Sequence, residues 1–248
     1  MYICSDLRGY NVVITGANTG LGKATAMKLA SLGANILLLC KSIDKGKAAA
    51  EEIKKQVKEG AKQSNNEAAI EVLPLDLASL ASIEKCADMI KQIVGNSGID
   101  ILVNNAGVMA IPTYTTTSDG FETQMGVNHL GHFALTSALL PLLQSSPAKQ
   151  AAGKRAGRIV SVSSAAHQFG KLDFDNLLLS KPGTYQPWLA YGNSKLSNIL
   201  FIKELNRFYN IVYATPKVLF DICPLDGCGR KVLISLPPYA IQGYVALN

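Results

Sequence analysis

The sequence has no apolar stretch near the ~20 residues that a membrane span requires, although 48% of its 248 residues are hydrophobic. Residues 1–10 hold Asp6 and Arg8 and lack both the apolar core of a signal peptide and the Arg- and Ser-rich character of a transit peptide. A soluble chain without a membrane span is expected, cytoplasmic unless a targeting segment for an organelle is missing from it. Cysteine is scarce: five residues, at 4, 40, 86, 223 and 228, odd in number and scattered. No pair has the CxxC spacing of a zinc site, so neither a disulfide framework nor a metal centre is expected. Cys40 ends an apolar run and Cys86 falls in a helical pattern, so both should be buried and reduced. Charge is sparse at 17%, and the net +6 comes from spaced lysines rather than a dense basic tract. Such a surface attracts a phosphate-bearing small ligand but is not a nucleic-acid footprint, and no nucleic-acid partner is expected. Ten Pro against 21 Gly, without any period, exclude a collagen-like or Pro-rich chain.

What is present is an alternation of short apolar runs and amphipathic stretches. Asn11–Thr15, Asn35–Cys40 and residues 70–75, 100–104 and 158–163 read as buried strands. Residues 20–32 read as a helix. Ile43, Ala50, Ile53 and Val57 share one helical face, as do Leu80, Ile83, Ala87, Ile90 and Val94. Residues 121–143 are long enough for a central helix, and 191–209 form another. Strand and helix in strict alternation imply parallel strands with helices on both faces. Continuous apolar strands agree, because a sheet covered on both sides has no polar face. Residues 62–67 and 145–157 are polar surface connections.

After the first strand comes Thr15-Gly16-Ala17-Asn18-Thr19-Gly20-Leu21-Gly22, a TGxxxGxG loop that opens a helix. Glycines permit a tight turn and close backbone approach to a pyrophosphate, and the helix N-terminus supplies free N–H groups. The candidate cradle is Gly16, Asn18, Thr19, Gly20, Leu21 and Gly22. No Gly-Lys-Ser/Thr comes after it, so this is not a P-loop. The fold class expected is a doubly wound Rossmann-type three-layer α/β sandwich with a mostly parallel sheet. At the end of the second strand, Lys41 and Ser42 stand where an acidic residue would bond ribose hydroxyls, and the first carboxylate beyond them is Asp44. A basic residue there accommodates a 2′-phosphate, so NADP is the expected cofactor, NADPH favoured over NADH.

Tyr191-Gly192-Asn193-Ser194-Lys195 is a YxxxK pair, which puts both side chains on one helical face. A tyrosine of ordinary pKa near ~10 is a poor base, but a neighbouring ammonium stabilises the phenolate. Further polar motifs close other strands or lie in the central helix: Leu75-Asp76-Leu77, Asn104-Asn105-Ala106-Gly107, Ser161-Val162-Ser163-Ser164 and Asn128-His129-Leu130-Gly131-His132. Taken together and in this order, these motifs resemble the short-chain dehydrogenase/reductase family, from about residue 9 to residue 209. TGANTGLGKATA, NNAGVM, VNHLGHF, RIVSVSS and YGNSKLSNILF look most like its retinol dehydrogenase-like branch. That branch also holds the WW-domain oxidoreductase and a plastid import component.

The resemblance implies roles. Tyr191 is the acid/base, and Lys195 lowers its pKa and holds the nicotinamide ribose. Ser164 bonds the substrate oxygen, and Asn128 holds a water that connects Lys195 to solvent. Gly16, Gly20 and Gly22 cradle the pyrophosphate. Asp76 and Asn104 contact the adenine and ribose side, and Leu77, Ala106 and Gly107 also bind the cofactor. Ser163 is expected to be structural, and His129 and His132 to pack or face solvent. His167 lies past the fifth strand near the substrate side but is given no role. Residues 169–188 carry Phe174, Leu177, Leu178, Leu179, Tyr185 and Trp188, an apolar wall suited to a lipophilic alcohol, aldehyde or ketone. With NADP, reduction is the expected direction; a homodimer is one assembly open to the chain, and the sequence does not fix the oligomeric state.

Beyond residue 209 the family pattern fails. The next apolar run has no Pro-Gly turn after it, and Cys223, Pro224, Pro237 and Pro238 interrupt the remaining candidate strands. Residues 1–209 are therefore expected to form the dinucleotide-binding core, and 210–248 an atypical tail of the same domain. An alternative splice product, a retained intron or a frameshift would explain that tail, and would leave the sheet altered or incomplete. Residues 211–214, 217–220 and 231–236 are candidate substitute strands. Two readings compete with the enzyme: a catalytically impaired truncated isoform, and an NADP(H)-binding regulatory or scaffold protein.

Overall fold

In the computed structural model, which describes residues 6–60, 68–144, 157–209, 231–235 and 242–246, the five apolar runs become five parallel strands. These are β1 (Asn11–Thr15), β2 (Asn35–Cys40), β3 (Ile70–Pro74), β4 (Ile101–Asn104) and β5 (Arg158–Ser161). They form one sheet in the order β3-β2-β1-β4-β5. Val13 at its centre pairs with Leu37 on one side and Leu102 on the other. Successive side chains of a strand point to opposite faces, so each face collects its own core. Val13, Leu37 and Leu102 pack with Ile83, Ile90, Leu135, Leu139 and Ile202. Val12, Ile14, Ile36 and Leu38 pack on the other face with Ala26, Ala30, Ile53 and Val57. Each fully buried aliphatic side chain contributes about 1.5–3 kcal/mol, and both layers of helices are held this way.

The helices are α1 (Gly20–Ser31), α2 (Ile43–Gly60), α3 (Leu80–Val94), a single turn α4 (Thr123–Met125), α5 (Gly131–Leu143) and α6 (Pro187–Tyr209). The helical faces on α2 and α3 are as the periodicity predicts, except that Leu80 is 42% exposed. It sits in the first turn of α3, where its N–H is held by Asp119 instead. Ser79 caps that helix by accepting the Ser82 N–H, and Gly95, at φ +48°, ends it.

Three boundaries differ from the sequence expectation by more than one residue. β5 stops at Ser161 because the next carbonyl, of Val162, is turned to the side chains of Lys195 and Asn198. The last long helix begins at Pro187, a residue suited to a first helical turn because it has no N–H to leave unpaired there. The central helix is broken by a π-helical turn, Gly126–Leu130, between α4 and α5.

Strand order reverses at β1, which lies between β2 and β4. A crevice at the C-terminal ends of β1 and β4 is the consequence of that topology. Toward the C-terminus, Lys231–Ser235 is a strand, β6, as expected, but it pairs antiparallel with Gln242–Ala246, β7, which the sequence pattern did not indicate. The candidate strands at 211–214 and 217–220 lie outside the described residues. Cys40 and Cys86 are buried and free. Burial pushes both thiols up, that of Cys86 to about 12.

Candidate functional site

The glycine loop leaves β1 at Gly16, whose φ is +63°. A Cβ there would stand 2.9 Å from Ala106, and one at Gly22 would stand 2.5 Å from Asn105 Nδ2. Neither position has room for a side chain. Asn105 secures the loop from the β4 side: its Nδ2 donates to the Thr15 carbonyl at 2.9 Å and to that of Gly16 at 3.4 Å. Thr19 at the start of α1 makes no side-chain cap, and the first turn has no acidic residue. The N-terminus of this helix is thus left to an anion.

Lys41 and Asp76, at the ends of β2 and β3, form an ion pair at 2.9 Å. Partial burial works to raise the Asp76 carboxyl, but the bonds from Lys41 and the Ala78 N–H outweigh it and hold it below the usual range. The sequence points each of these residues at the cofactor separately; the structure makes them partners.

Tyr191 and Lys195 lie one turn apart on α6, 8% and 4% exposed. The ammonium nitrogen stands 5.6 Å from the centre of the phenol ring and donates to the Val162 carbonyl at 3.2 Å. Asn128 occupies the π turn and is wholly buried. Its amide is fully used: Oδ1 accepts the Val108 N–H, and Nδ2 donates to the Val108 carbonyl and to Ser194 Oγ. A Cβ on Gly107 would stand 3.0 Å from Asn128 Oδ1 and 3.5 Å from Lys195 Nζ. Gly107 is therefore where Asn128 and Lys195 come together. Asn104 is buried behind them and donates to Thr136.

A cavity of about 220 Å³ opens at this point. Leu21 of the glycine loop, Gly107 after β4, and Tyr191 and Lys195 of α6 all line it. So do Asn105, Val108, Met109, Val162 and Ser163, to which the sequence motifs assign no site role. The two serines divide their work. Ser163 reaches the cavity wall and donates to the Lys195 carbonyl at 2.9 Å, a bond that joins β5 to α6. Ser164, 7% exposed, accepts the Ala166 N–H and caps the short turn Ala165–Phe169.

The wall expected over residues 169–188 is only partly built. Trp188 packs edge-on against Tyr191, with ring centres 6.2 Å apart. Leu179 is buried. Tyr185 donates to the Ile111 carbonyl and receives Gln124 Nε2. Phe169 and Phe174, however, are 71% and 84% exposed. His167 donates to the Ser164 carbonyl, and His129 lies between Asn198 and the rings of Phe133 and Phe201.

Sequence reasoning also missed Glu122, 1% exposed, which caps α4 through the N–H groups of Gln124 and Met125. Burial pushes its carboxyl up. A Glu ahead of a short helical turn was the available signal, hidden inside an apparently continuous helix. Among the described residues no helix is long and apolar enough to cross a membrane.

Residues 10–176 match the short chain dehydrogenase family. Retinol dehydrogenase 14 of Mus musculus is 39% identical over 233 residues, which cover 93% of this chain and 66% of that protein. Retinol dehydrogenase 13 of Homo sapiens is 45% identical over 203 residues, 82% of this chain and 55% of the relative. The chain thus spans between half and two thirds of the length of these curated relatives. Among solved structures, a metagenomic short-chain oxidoreductase in complex with NADP superposes with a TM-score of 0.61 at 26% identity, covering 84% of this chain and 81% of that one.

Proposed function

This chain belongs to the short-chain dehydrogenase family, and on that premise we propose that it is an NADPH-dependent reductase of a lipophilic aldehyde or ketone. The observation that carries this reading is a cavity lined jointly by Leu21, Gly107, Tyr191 and Lys195. A dinucleotide loop and a proton-transfer pair share it. The residues fit the cofactor: Gly16 and Gly22 leave no room for side chains where a pyrophosphate would approach, and α1 begins without a side-chain cap. Lys41 is the group for the 2′-phosphate, which it would meet by leaving Asp76. The NADP bound by the metagenomic relative supports the same choice. The names of the retinol dehydrogenases support a lipophilic substrate, as do Trp188 and Met109 beside the cavity.

When bound, reduced nicotinamide supplies the hydride that reaches the carbonyl carbon. The chain's own residues handle the proton. Tyr191 Oη–H protonates the carbonyl oxygen, and the Lys195 ammonium stabilises the phenolate left behind. Ser164, one residue beyond the cavity-lining Ser163, accepts the Ala166 N–H, and its hydroxyl would have to turn into the cavity to donate to the same oxygen. Asn128 holds the geometry through Val108 and Ser194. The core that does this is residues 1–209, with 210–248 as an appended part of the same domain.

The test is a fluorescence titration with NADPH beside NADH, and then turnover of lipophilic aldehydes. Saturable binding that prefers NADPH is expected. Tyr191→Phe should then lower kcat by about 10³-fold, within the range of general acid catalysis, and leave NADPH affinity unchanged. Turnover that survives this substitution would refute the mechanism. Binding without any turnover favours the regulatory reading, and loss of both favours the impaired isoform.

A further inference from the structure

His132, in the first turn of α5, is 2% exposed and uses both ring nitrogens. Nδ1 stands 2.9 Å from the Asn128 carbonyl oxygen, which can only accept, so Nδ1 carries a proton. Nε2 stands 2.8 Å from Thr15 Oγ1. That hydroxyl already accepts the N–H groups of Asn105 and Ala106, each at 2.9 Å. Its own proton has two acceptors to choose from: Val103 O at 3.4 Å and His132 Nε2 at 2.8 Å. The shorter bond takes it. The ring is therefore neutral and fixed in the Nδ1–H form. Burial agrees, pushing the imidazole down to about 4; the Asn128 bond opposes this, and the charges of Lys195 and His129 assist it.

The bonds continue beyond Asn128. Its Nδ2 donates to Ser194 Oγ at 2.9 Å, and Ser194 Oγ donates to the Tyr191 carbonyl at 2.7 Å. Thr15, Asn128 and Ser194 are wholly buried. One directed path thus runs from the end of β1, where the glycine loop begins, to the turn of α6 that carries Tyr191 and Lys195.

We propose that His132 is a positioning residue that registers the dinucleotide loop against the Tyr191–Lys195 pair, acting through Thr15 on one side and Asn128 on the other. Its catalytic consequences rest on the reductase reading above; its tautomer does not. Two half-mimics separate the two bonds. An Asn side chain places its amide nitrogen near the site of Nδ1, and a Gln side chain reaches the site of Nε2. His132→Asn should keep the bond to Asn128 and lose Thr15, raising the NADPH Kd about tenfold with kcat within about twofold. His132→Gln should keep Thr15 and lose Asn128, lowering kcat about tenfold with Kd within about twofold. Variants that change Kd and kcat together in step with a lowered Tm, or that change neither, overturn the proposal.

The wild type supplies a second test that needs no variant to fold. Long-range ¹H–¹⁵N NMR of the cofactor-free protein at pH 7 should show His132 with a protonated Nδ1 and a bare Nε2. An Nε2–H form or an imidazolium overturns the proposal, whatever the enzyme assay shows. Wild-type protein that binds NADPH without turnover, but keeps this tautomer and the Kd difference between variants, refutes the reductase reading and leaves the clamp standing.

Discussion

The two sides of the cavity are built differently. On the dinucleotide side, positive φ angles fall on the glycines of the loop, Gly16 and Gly20. The polar groups that join β1 to β4 and α5 there partner one another: Thr15, Asn128 and His132, all buried, and Asn105, partly buried. On the substrate side, positive φ falls not only on Gly183 but also on two residues that carry a Cβ, Ala110 and Leu179. Gln124 Oε1 and Asn193 Nδ2 are buried there without a hydrogen-bond partner, against Asn104 Oδ1 on the dinucleotide side. Met109, Phe169, Phe174 and Trp188 are each more than half exposed. Strained backbone, unpaired polar atoms and open apolar surface concentrate where a variable ligand would sit, and are sparser where a ligand of fixed shape would sit. On the proposed reading, the well-partnered side would hold the dinucleotide and the more open side the substrate.

The comparison can be broken from either side. The largest stability effect is expected at Gly16→Ala. A left-handed φ costs an L residue about 1–2 kcal/mol, and the contact with Ala106 adds an overpacking cost of about 1–3 kcal/mol. Urea unfolding should show a loss of about 2–5 kcal/mol, with NADPH binding abolished. A variant as stable as wild type would mean that the loop yields.

Next comes the pH dependence set by His132. Its pKa is lowered in the fold, to about 4 from an ordinary 6.5, so the unfolded chain binds more protons across that window. Stability is fully present above pH 6.5, falls as pH drops through the window and levels off below about 4. The loss is about 3 kcal/mol. Urea unfolding from about pH 7 to about pH 4 measures it, and His132→Gln should reduce the slope, leaving the share of His129, whose imidazole burial also pushes down. An equal slope in that variant would assign the acid sensitivity elsewhere.

Lys41→Ala should weaken NADPH binding about tenfold and leave NADH unchanged, as loss of one charge-assisted contact implies. Stability should move by less than about 1 kcal/mol, since the pair with Asp76 is largely exposed. An equal loss for both cofactors would remove Lys41 as the phosphate reader. The smallest effect is on the substrate side. Ala110→Gly relieves a φ of +49° and should raise stability by about 0.5–1 kcal/mol, after allowing for the added freedom of the unfolded chain. A decrease would show that Ala110 is not strained.

Much of this was legible in the residues. The strands at 11–15 and 35–40 stand where continuous apolar runs put them, because a strand covered on both faces needs no alternation. The expected α6 face is there, because four residues make about one helical turn. The break at Gly126–Leu130 was not legible: a π turn has no local period of its own, and it exists because Asn128 must meet Val108 and Ser194. Residues 169–188 read as an apolar wall from composition, yet apolar composition does not say which ring turns inward. Trp188 finds Tyr191, and Phe174 finds water.

The sequence by itself determined the parallel α/β class, the glycine loop at the start of α1 and the Tyr191–Lys195 pair. All three come from short-range spacing, which strand and helix geometry convert directly into position. The tertiary structure alone decided that Lys41 faces Asp76, that Ser163 rather than Ser164 lines the cavity, and that His132 bridges Thr15 to Asn128. Thr15 and His132 are 117 residues apart. A hydrogen bond between them depends on donor and acceptor meeting within a few tenths of an ångström. No local pattern encodes that distance; the packing of α5 onto the sheet sets it.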